Sequence, residues 1–293
     1  MRPPAGMHRW RYATVRSELS RVSSELDKAS SERRVALLTF PGLTQTSATD
    51  GLHAGIQMLL AGESAAAHRH SPAALRVGLE ATDTITFVND QEVPLGPLDV
   101  VLNPSGTWHG HTERGGTGAV WLDVVDLPLV NALGGVLFEP SRAHQTGDLL
   151  DPASIPPVSA FRWFDAERAL FDAEAVAGVR SHSYGGGSVL PTLAVTAYAL
   201  EPDAELRLPA RTGGAIVLAA KGRFEASGQA AEQTRAVDEF DVIALRSWTP
   251  LTLRATDKVD IEPGGRSTGG IVMVIDTTPA LRSLGLYREE LTT

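Results

Sequence analysis

Three histidines are the residues whose types and spacing most clearly indicate chemistry. His68 and His70 are two positions apart, and side chains at i and i+2 of a β-strand lie on one face. His109 follows a further pair of predicted strands, so an antiparallel barrel would bring it beside them. Neutral imidazoles suit iron, zinc, copper, nickel or manganese better than calcium or magnesium. The sequence therefore predicts a transition-metal site, with surface histidines in turns as the alternative.

Composition restricts the kind of protein. The 293 residues carry a formal net charge of -9, which argues against a nucleic-acid partner, and the lack of cysteine excludes disulfides and thiolate ligands. No stretch approaches the ~18 consecutive apolar residues of a membrane-spanning helix, and the first residues lack the apolar segment of a signal peptide. We expect a cytoplasmic protein without a membrane partner.

The elements that must position the histidines are mostly strands. From Leu52 onward, short apolar runs alternate with Gly, Pro, Asn and Asp, which is typical of an all-β barrel or sandwich. Residues 14–36 and 164–178 have helical spacing instead. The glycine-rich segment 185–188 after the second helix indicates a linker between two β units.

The second half of the chain repeats the first. At an offset of 140 residues, segment 58–80 aligns with 198–220 and Trp108 with Trp248. In this alignment the three histidines fall opposite Leu208, Ala210 and Thr249, so the predicted metal site belongs to the first copy alone. We expect an N-terminal segment (1–50), a metal-binding barrel (51–140), a linker with a helix (141–187) and a second barrel without metal ligands (188–293).

Three runs carry a resemblance to a known family: AGESAAAHRHSPAALRVGLE, PLDVVLNPSGTWHGH and AVWLDVVDLPLV. They resemble the bicupin gentisate 1,2-dioxygenases and their salicylate and 1-hydroxy-2-naphthoate dioxygenase relatives. The resemblance extends from about Arg9 to Glu290. It implies an all-β bicupin: two double-stranded β-helix (jelly-roll) barrels with a few flanking helices.

The resemblance also implies a reaction. Non-haem Fe(II) would be bound by His68, His70 and His109. The protein would be an extradiol-type dioxygenase that uses O2 to cleave the ring of a hydroxylated aromatic carboxylic acid. Cleavage would fall between the carboxylate-bearing carbon and the adjacent hydroxyl-bearing carbon.

Further polar residues receive roles from the same resemblance, and His111, Arg76 and Asp123 are the catalytic candidates. Arg76 would bind the substrate carboxylate through its two-pronged guanidinium. His111 would act as an acid or base or bind substrate, with a fourth metal ligand as its alternative role. Gln57 would line the pocket, and Asp123 would orient a histidine or Arg76. Turn or surface positions are the alternatives for these residues.

Other candidates concern the shape of the pocket. Either Arg33 or Arg34 matches a pocket arginine of the family, and Trp108 belongs to the expected substrate-binding set. His53 stands where relatives have an apolar or aromatic residue. Gly106 stands where they have tryptophan, and Gly110 also replaces a larger residue. The two glycines are compatible either with a larger substrate or with a more flexible, weaker site. We take a substituted or bulkier hydroxylated aromatic acid, in place of gentisate, as the hypothesis.

Two other functions are compatible with the sequence. One is a metal-dependent cupin of a biosynthetic pathway, of the decarboxylase or isomerase type. The other is a non-catalytic cupin that binds a small molecule, against which the complete set of three histidines argues. By analogy with relatives, we expect a homo-oligomer, either a dimer or a tetramer.

Overall fold

The structure is a computed structural model that describes residues 5–25, 34–43, 46–89, 91–141, 158–185, 190–228, 234–261 and 266–290. The helices are α1 (Tyr12–Glu25), α2 (Leu127–Ala132), α3 (Trp163–Asp172) and α4 (Thr278–Ser283). The strands, in chain order, are β1 (Met7–Trp10), β2 (Arg34–Leu37), β3 (His53–Leu59), β4 (Ser64–His70), β5 (Ala74–Ala81), β6 (Thr84–Val88), β7 (Gln91–Leu95), β8 (Val100–Asn103), β9 (His109–Glu113), β10 (Ala119–Val125), β11 (Phe138–Glu139), β12 (Ser159–Phe161), β13 (Val179–Ser183), β14 (Ala194–Leu200), β15 (Glu205–Leu208), β16 (Ala215–Gly222), β17 (Phe224–Ser227), β18 (Arg235–Val237), β19 (Val242–Leu245), β20 (Leu251–Ala255), β21 (Val259–Ile261), β22 (Arg266–Thr268) and β23 (Gly270–Asp276).

These strands form two antiparallel barrels, which confirms the predicted all-β bicupin fold. The first barrel combines a six-stranded sheet, β12-β8-β5-β10-β3-β2, with a five-stranded sheet, β11-β4-β9-β6-β7. The second combines β1-β19-β16-β23-β14-β13 with β15-β20-β17-β18, and β21 and β22 form a separate hairpin. The chain crosses between the barrels near its start, because β1 pairs with β19 of the second barrel.

The largest apolar core joins the two six-stranded sheets. Alternate residues such as Ile56 on β3 and Leu122 on β10 belong to one buried cluster with Ile216 on β16 and Met273 on β23. Side chains on the opposite faces of these sheets point into the barrels, because successive side chains of a strand alternate in direction. The barrels therefore pack face to face through their larger sheets.

The two barrel interiors differ in polarity. Sixteen buried apolar residues fill the interior of the second barrel, whereas the corresponding cluster in the first has nine. The remaining space in the first barrel is occupied by buried polar side chains. Burying polar groups costs free energy unless they have partners. The polar interior of the first barrel is therefore the candidate location of the functional site.

The helical predictions are correct only in part. The first helix is α1, which ends at Glu25, and the predicted helical segment 14–36 fails at its end because Arg34–Leu37 forms β2 beside β3. The second helix ends at Asp172 rather than at residue 178. In the first case, pairing with β3 overrides local helical preference. Within the described residues, none of the helices has the length and apolar character needed to cross a membrane.

A buried carboxylate connects the barrels. One oxygen of Asp126 accepts a hydrogen bond from the backbone N–H of Ala73 at 2.8 Å, and the other accepts one from the Thr192 hydroxyl, just before β14. Burial raises the pKa of Asp126 to about 6, and these hydrogen bonds offset only part of the shift. Asp126 therefore holds a proton in the folded state at pH values where the unfolded chain has lost it.

This shift predicts how stability depends on pH. Because the pKa of Asp126 is raised on folding, its contribution is present below about pH 4 and is lost as the pH rises through about 6. Through this group, the native protein should lose on the order of 1–3 kcal/mol of unfolding free energy between pH 4 and pH 7. Asp126→Asn, which has nearly the same shape, should not show this loss. Chemical denaturation of both proteins across this range measures the difference. Parallel stability profiles would contradict the prediction.

Candidate metal and active site

The three predicted histidines lie together inside the first barrel. His68 and His70 project from one face of β4, and His68 is directly opposite His109 on β9. One ligand atom from each lies within 4.8 Å of those of the other two. The ring centroid of His109 is 4.2 Å from that of His68 and 4.8 Å from that of His70. The sequence spacing thus predicts the cluster correctly.

Hydrogen bonds orient two of the rings. Nδ1 of His70 lies 2.7 Å from the carbonyl oxygen of Pro72, and Nδ1 of His109 lies 3.0 Å from that of Thr107. A carbonyl only accepts, so each Nδ1 carries the proton and each Nε2 presents a lone pair. Nε2 of His109 is buried and has no hydrogen-bond partner among the described residues. This arrangement is typical of imidazoles that bind a metal.

The electrostatics of the cluster also fit a metal. Burial lowers the pKa of His109 well below its usual range. Electrostatic interactions with Arg76 and with the neighbouring histidines lower it further. His109 is therefore neutral at physiological pH. Neutral, oriented imidazoles are the donors that transition metals prefer. The residues present fit a metal cofactor held by His68, His70 and His109.

A bulge in β4 sets the positions of the ligands. The register between β4 and β9 shifts between Ala65 and His68. A Cβ at Gly110 would lie 3.0 Å from the carbonyl oxygen of Ala65 and 3.2 Å from Cα of Ala67. Gly110 thus allows the bulge to approach β9, on the face opposite His109. The expectation that Gly110 enlarges the pocket is wrong, because its missing side chain would meet β4.

Arg76 forms a buried polar network beside the histidines. Its Nε lies 2.9 Å from Oδ1 of Asp123, the residue opposite it on β10. Its Nη1 donates to Oδ1 of Asn103 at 2.8 Å. Burial lowers the pKa of Arg76, and Asp123 partly offsets the shift. An arginine retains its charge even so, which gives the site a fixed cation.

His111 lies next to this network on β9. Its Nδ1 is 3.1 Å from Oγ1 of Thr86, and its ring centroid is 4.9 Å from that of Trp121. The indole N–H of Trp121 donates to Oδ2 of Asp123 at 2.9 Å. Trp121 therefore links His111 to the carboxylate that pairs with Arg76.

Gln57 and Phe138 complete the surroundings. Gln57 is buried on β3 opposite Trp121, and its Nε2 has no partner among the described residues. Phe138 lies opposite His70 in the β11–β4 pair, and its ring centroid is 5.8 Å from that of His68. Because the side chain of Phe138 is 55% exposed, it lies at the edge of the site.

Two of the other predicted residues, Trp108 and Arg34, lie away from the histidines. Trp108 packs against Arg69, which points to the face of β4 opposite His68 and His70. Arg34 forms an ion pair with Glu63 and lies opposite Met58, a residue of the core between the sheets. It therefore does not share the face of Gln57. Arg33 lies outside the described residues.

His53 and Gly106 lie in or beside the strands that carry the candidate residues. His53 shares the face of Gln57 by even spacing, and its partly exposed ring has Nδ1 2.8 Å from the carbonyl oxygen of Thr46. Gly106 has φ of 75° and donates its backbone N–H to the carbonyl of His70 at 2.9 Å. His53 is thus the first residue of the strand that holds Gln57, and Gly106 contacts the last residue of the strand that holds His68 and His70.

A separate cleft of about 410 Å³ lies between α1 and the ends of β3, β5 and β10. Arg16 and Glu80 line it and form an ion pair with each other. Neither the three clustered histidines nor His111 is among the residues that line it. The cleft is therefore separate from the candidate metal site.

Comparison with known proteins agrees with this geometry. Residues 55–125 match the cupin domain. Gentisate 1,2-dioxygenase from Ralstonia sp is 29% identical over 95% of this chain and 83% of the relative. The 1-hydroxy-2-naphthoate 1,2-dioxygenase from Nocardioides sp. (strain KP7) is 26% identical over 98% and 79%. This chain is a bicupin that is similar to gentisate 1,2-dioxygenases over nearly its full length.

A solved structure supports the fold of this bicupin. Salicylate 1,2-dioxygenase from Pseudaminobacter salicylatoxidans superimposes with a TM-score of 0.84, covering 99% of this chain and 89% of that one, at 24% identity. The arrangement of two barrels is therefore shared across the whole described molecule.

Strand pairing in the bicupin corrects the alignment of its repeats. His68 pairs with His109, and the corresponding pair in the second barrel is Leu208 and Leu251. His109 is thus equivalent to Leu251 and not to Thr249. Between β8 and β9, the same register makes Gly106, and not Trp108, the equivalent of Trp248. The predicted alignment assumes one offset of 140 residues along the whole chain, whereas bulges and loops change the offset locally.

With this register, the polar site of the first barrel is apolar in the second. The equivalents are Val217 for Arg76, Val274 for Asp123, Leu253 for His111, Ala226 for Thr86 and Leu245 for Asn103. Sequence reasoning missed Thr86 and Asn103, although a repeat alignment in this register would have identified both. It also missed Phe138, because a two-residue strand leaves no periodic signal.

Replacement of one ligand tests the metal site. We expect His109→Ala to reduce the metal content of the purified protein from near one per chain to below about a tenth, because two imidazoles remain. His182→Ala on β13, a histidine of the second barrel, is the matched control and should retain the metal. Elemental analysis of both proteins provides the measurement. Full metal content in His109→Ala would show that His109 is not a ligand.

Proposed function

We propose that this protein is an Fe(II)-dependent dioxygenase that uses O2 to open the ring of a hydroxylated aromatic carboxylic acid. The bond cleaved joins the carboxyl-bearing carbon to the neighbouring hydroxyl-bearing carbon. One observation carries the proposal: three clustered imidazoles and a buried arginine share one barrel interior, in a chain that aligns with ring-cleaving dioxygenases over nearly its full length. Iron is proposed on the chemistry of the donor set.

The ligand set explains why iron suits this role. His68, His70 and His109 are neutral donors, so a bound divalent metal retains its full charge and attracts an anionic chelating substrate. When bound, iron would supply redox chemistry that relays electron density from an electron-rich ring to O2. A metal held by the three histidines would therefore favour substrates with adjacent carboxylate and hydroxyl oxygens.

Arg76 would bind the carboxylate of the substrate. Asp123 and Asn103 hold its guanidinium from two sides. The remaining N–H donors of the fork can form charge-assisted hydrogen bonds with a carboxylate. Because the group is already oriented, little conformational entropy is lost when the substrate binds. Asp123 therefore acts as a positioning residue for Arg76.

His111 and Gln57 would act on the substrate hydroxyl or ring. The contact between Nδ1 of His111 and the Thr86 hydroxyl fixes the imidazole, whose Nε2 would bind a substrate oxygen. His111 would there hold or transfer a proton. Gln57 offers an amide N–H without a partner among the described residues. The two groups supply the polar contacts that orient the ring.

The pocket favours a larger substrate than gentisate. Gly106 has the same left-handed backbone as its equivalent Trp248, whose φ is 64°. A tryptophan is therefore compatible with this backbone. Glycine at position 106 has no side chain, so the space that a tryptophan would fill beside β4 is open to substrate. We propose a substituted or fused-ring hydroxylated acid as the preferred substrate.

Oxygen uptake with defined acids tests this function. Fe(II)-loaded protein should consume one O2 per molecule of 1-hydroxy-2-naphthoate, with a higher kcat/KM than for gentisate or salicylate. The same apoprotein loaded with Zn(II) should show no uptake, because zinc has no redox chemistry. An oxygen electrode combined with mass spectrometry of the product measures both.

The outcomes separate this proposal from other functions. Turnover of an aromatic acid without oxygen uptake would indicate a different metal-dependent reaction. A protein that binds its ligand normally after removal of the metal would be a binding module. Gentisate reacting best would contradict the proposed preference for a larger substrate while leaving ring cleavage intact.

We also propose that the protein is a homo-oligomer. Helices α2 and α4 end in the same way, because Leu133 and Leu284 are the C-cap residues of the two helices. These leucines are 69% and 54% exposed. Leu286 and Phe138 are further exposed apolar residues, one in each half of the chain. Exposed apolar groups repeated on both barrels are typical of surfaces that become buried in an assembly.

Mass measurement tests the oligomer. We expect a dimer or tetramer by size-exclusion chromatography with light scattering, and a smaller species for the double variant Leu133→Ser and Leu284→Ser. Arg168→Ser, at an exposed helix position, is the control. A monomeric native protein would refute the proposal.

A further inference from the structure

We propose that Asn103 binds the substrate directly, donating its side-chain amide to the carboxylate that Arg76 holds. This inference rests on the proposed function and adds a substrate-binding residue to it. Asn103 is the last residue of β8, and its side chain is 1% exposed. It lies in the interior of the first barrel, since Arg76 reaches it from β5.

The orientation of the Asn103 amide follows from its contact with Arg76. Nη1 of Arg76 is a donor and lies 2.8 Å from Oδ1 of Asn103. A guanidinium has no acceptor, so the oxygen of the amide must face Arg76 and the NH2 group must point elsewhere. Nδ2 of Asn103 is buried and has no partner among the described residues. The protein therefore presents an oriented donor without an acceptor.

The chemistry of this donor identifies the group it would bind. A buried NH2 group without an acceptor destabilises the folded protein, so a bound acceptor is favoured. Because the amide oxygen already touches a cation, an acceptor within reach of both side chains is most stable as an anion. A carboxylate satisfies both: one oxygen faces the guanidinium of Arg76 and the other accepts from Nδ2 of Asn103.

The second barrel shows that folding does not require the amide. The equivalent of Asn103 is Leu245, and the equivalent of Arg76 is Val217, both buried in the apolar interior. The same strand position thus accommodates leucine. Amide and arginine occur together in the barrel that contains the histidine cluster, and both are absent from the equivalent positions of the other.

Two substitutions separate substrate binding from support of Arg76. Asn103→Leu removes both the acceptor and the donor. Asn103→Asp keeps an oxygen facing Arg76 but replaces the NH2 group with a second oxygen, which repels a carboxylate. Anaerobic calorimetry of the Fe(II)-loaded proteins with 1-hydroxy-2-naphthoate and gentisate gives the dissociation constants. We expect Kd to rise about tenfold or more in both variants, with unchanged iron content.

The control is Asn131→Leu, an exposed position on α2, which should bind as the native protein does. A Kd within twofold of native in Asn103→Leu would overturn the inference. Native affinity in Asn103→Asp with weak binding in Asn103→Leu would also overturn it, since Asn103 would then only position Arg76 or hold a water. If Asn103→Leu does not fold, Asn103→Asp and Asn103→Ala provide the same comparison.

The outcome for the native protein separates the two proposals. Native protein that binds neither acid and consumes no O2 with either would refute the proposed function and this inference together. Native binding with oxygen uptake, but unaltered affinity in the variants, would refute the role of Asn103 alone.

Discussion

Apolar packing between the two six-stranded sheets is the interaction on which the rest of the structure depends. It buries Ile56 and Leu122 of the first barrel together with Ile216 and Met273 of the second. A single barrel with a polar interior would bury too little apolar surface to offset the loss of conformational entropy on folding. Because the outer faces of both large sheets form one core, the interior of the first barrel is free to hold histidines, arginine and amides.

The second barrel is best understood as support for the first. Its interior contains Val217, Leu251 and Leu253 where the first has Arg76, His109 and His111. These side chains add stability that the polar interior of the first barrel lacks. The second barrel also receives β1 from the N-terminal end of the chain. The two copies thus divide stability and chemistry between them.

Within the site, the protein orients several polar groups through hydrogen bonds and ion pairs. Carbonyl oxygens fix Nδ1 of His70 and His109, so that each Nε2 presents a lone pair. Asp123 and Asn103 fix Arg76. Such preorganisation favours binding and catalysis, because the groups do not have to reorient when the substrate arrives.

The amino-acid sequence predicts the two-barrel fold, the repeat and the histidine cluster, because alternation along strands and the i, i+2 spacing of His68 and His70 are local properties. The faces that the other side chains occupy could be assigned only from the folded chain. Strand register and bulges are set by long-range pairing, and a shift of one residue moves a side chain to the opposite face. For this reason Trp108 packs against Arg69 and not in the expected pocket, and Arg34, one of the two arginines proposed for it, pairs with Glu63. Asn103 became visible only through its contact with Arg76.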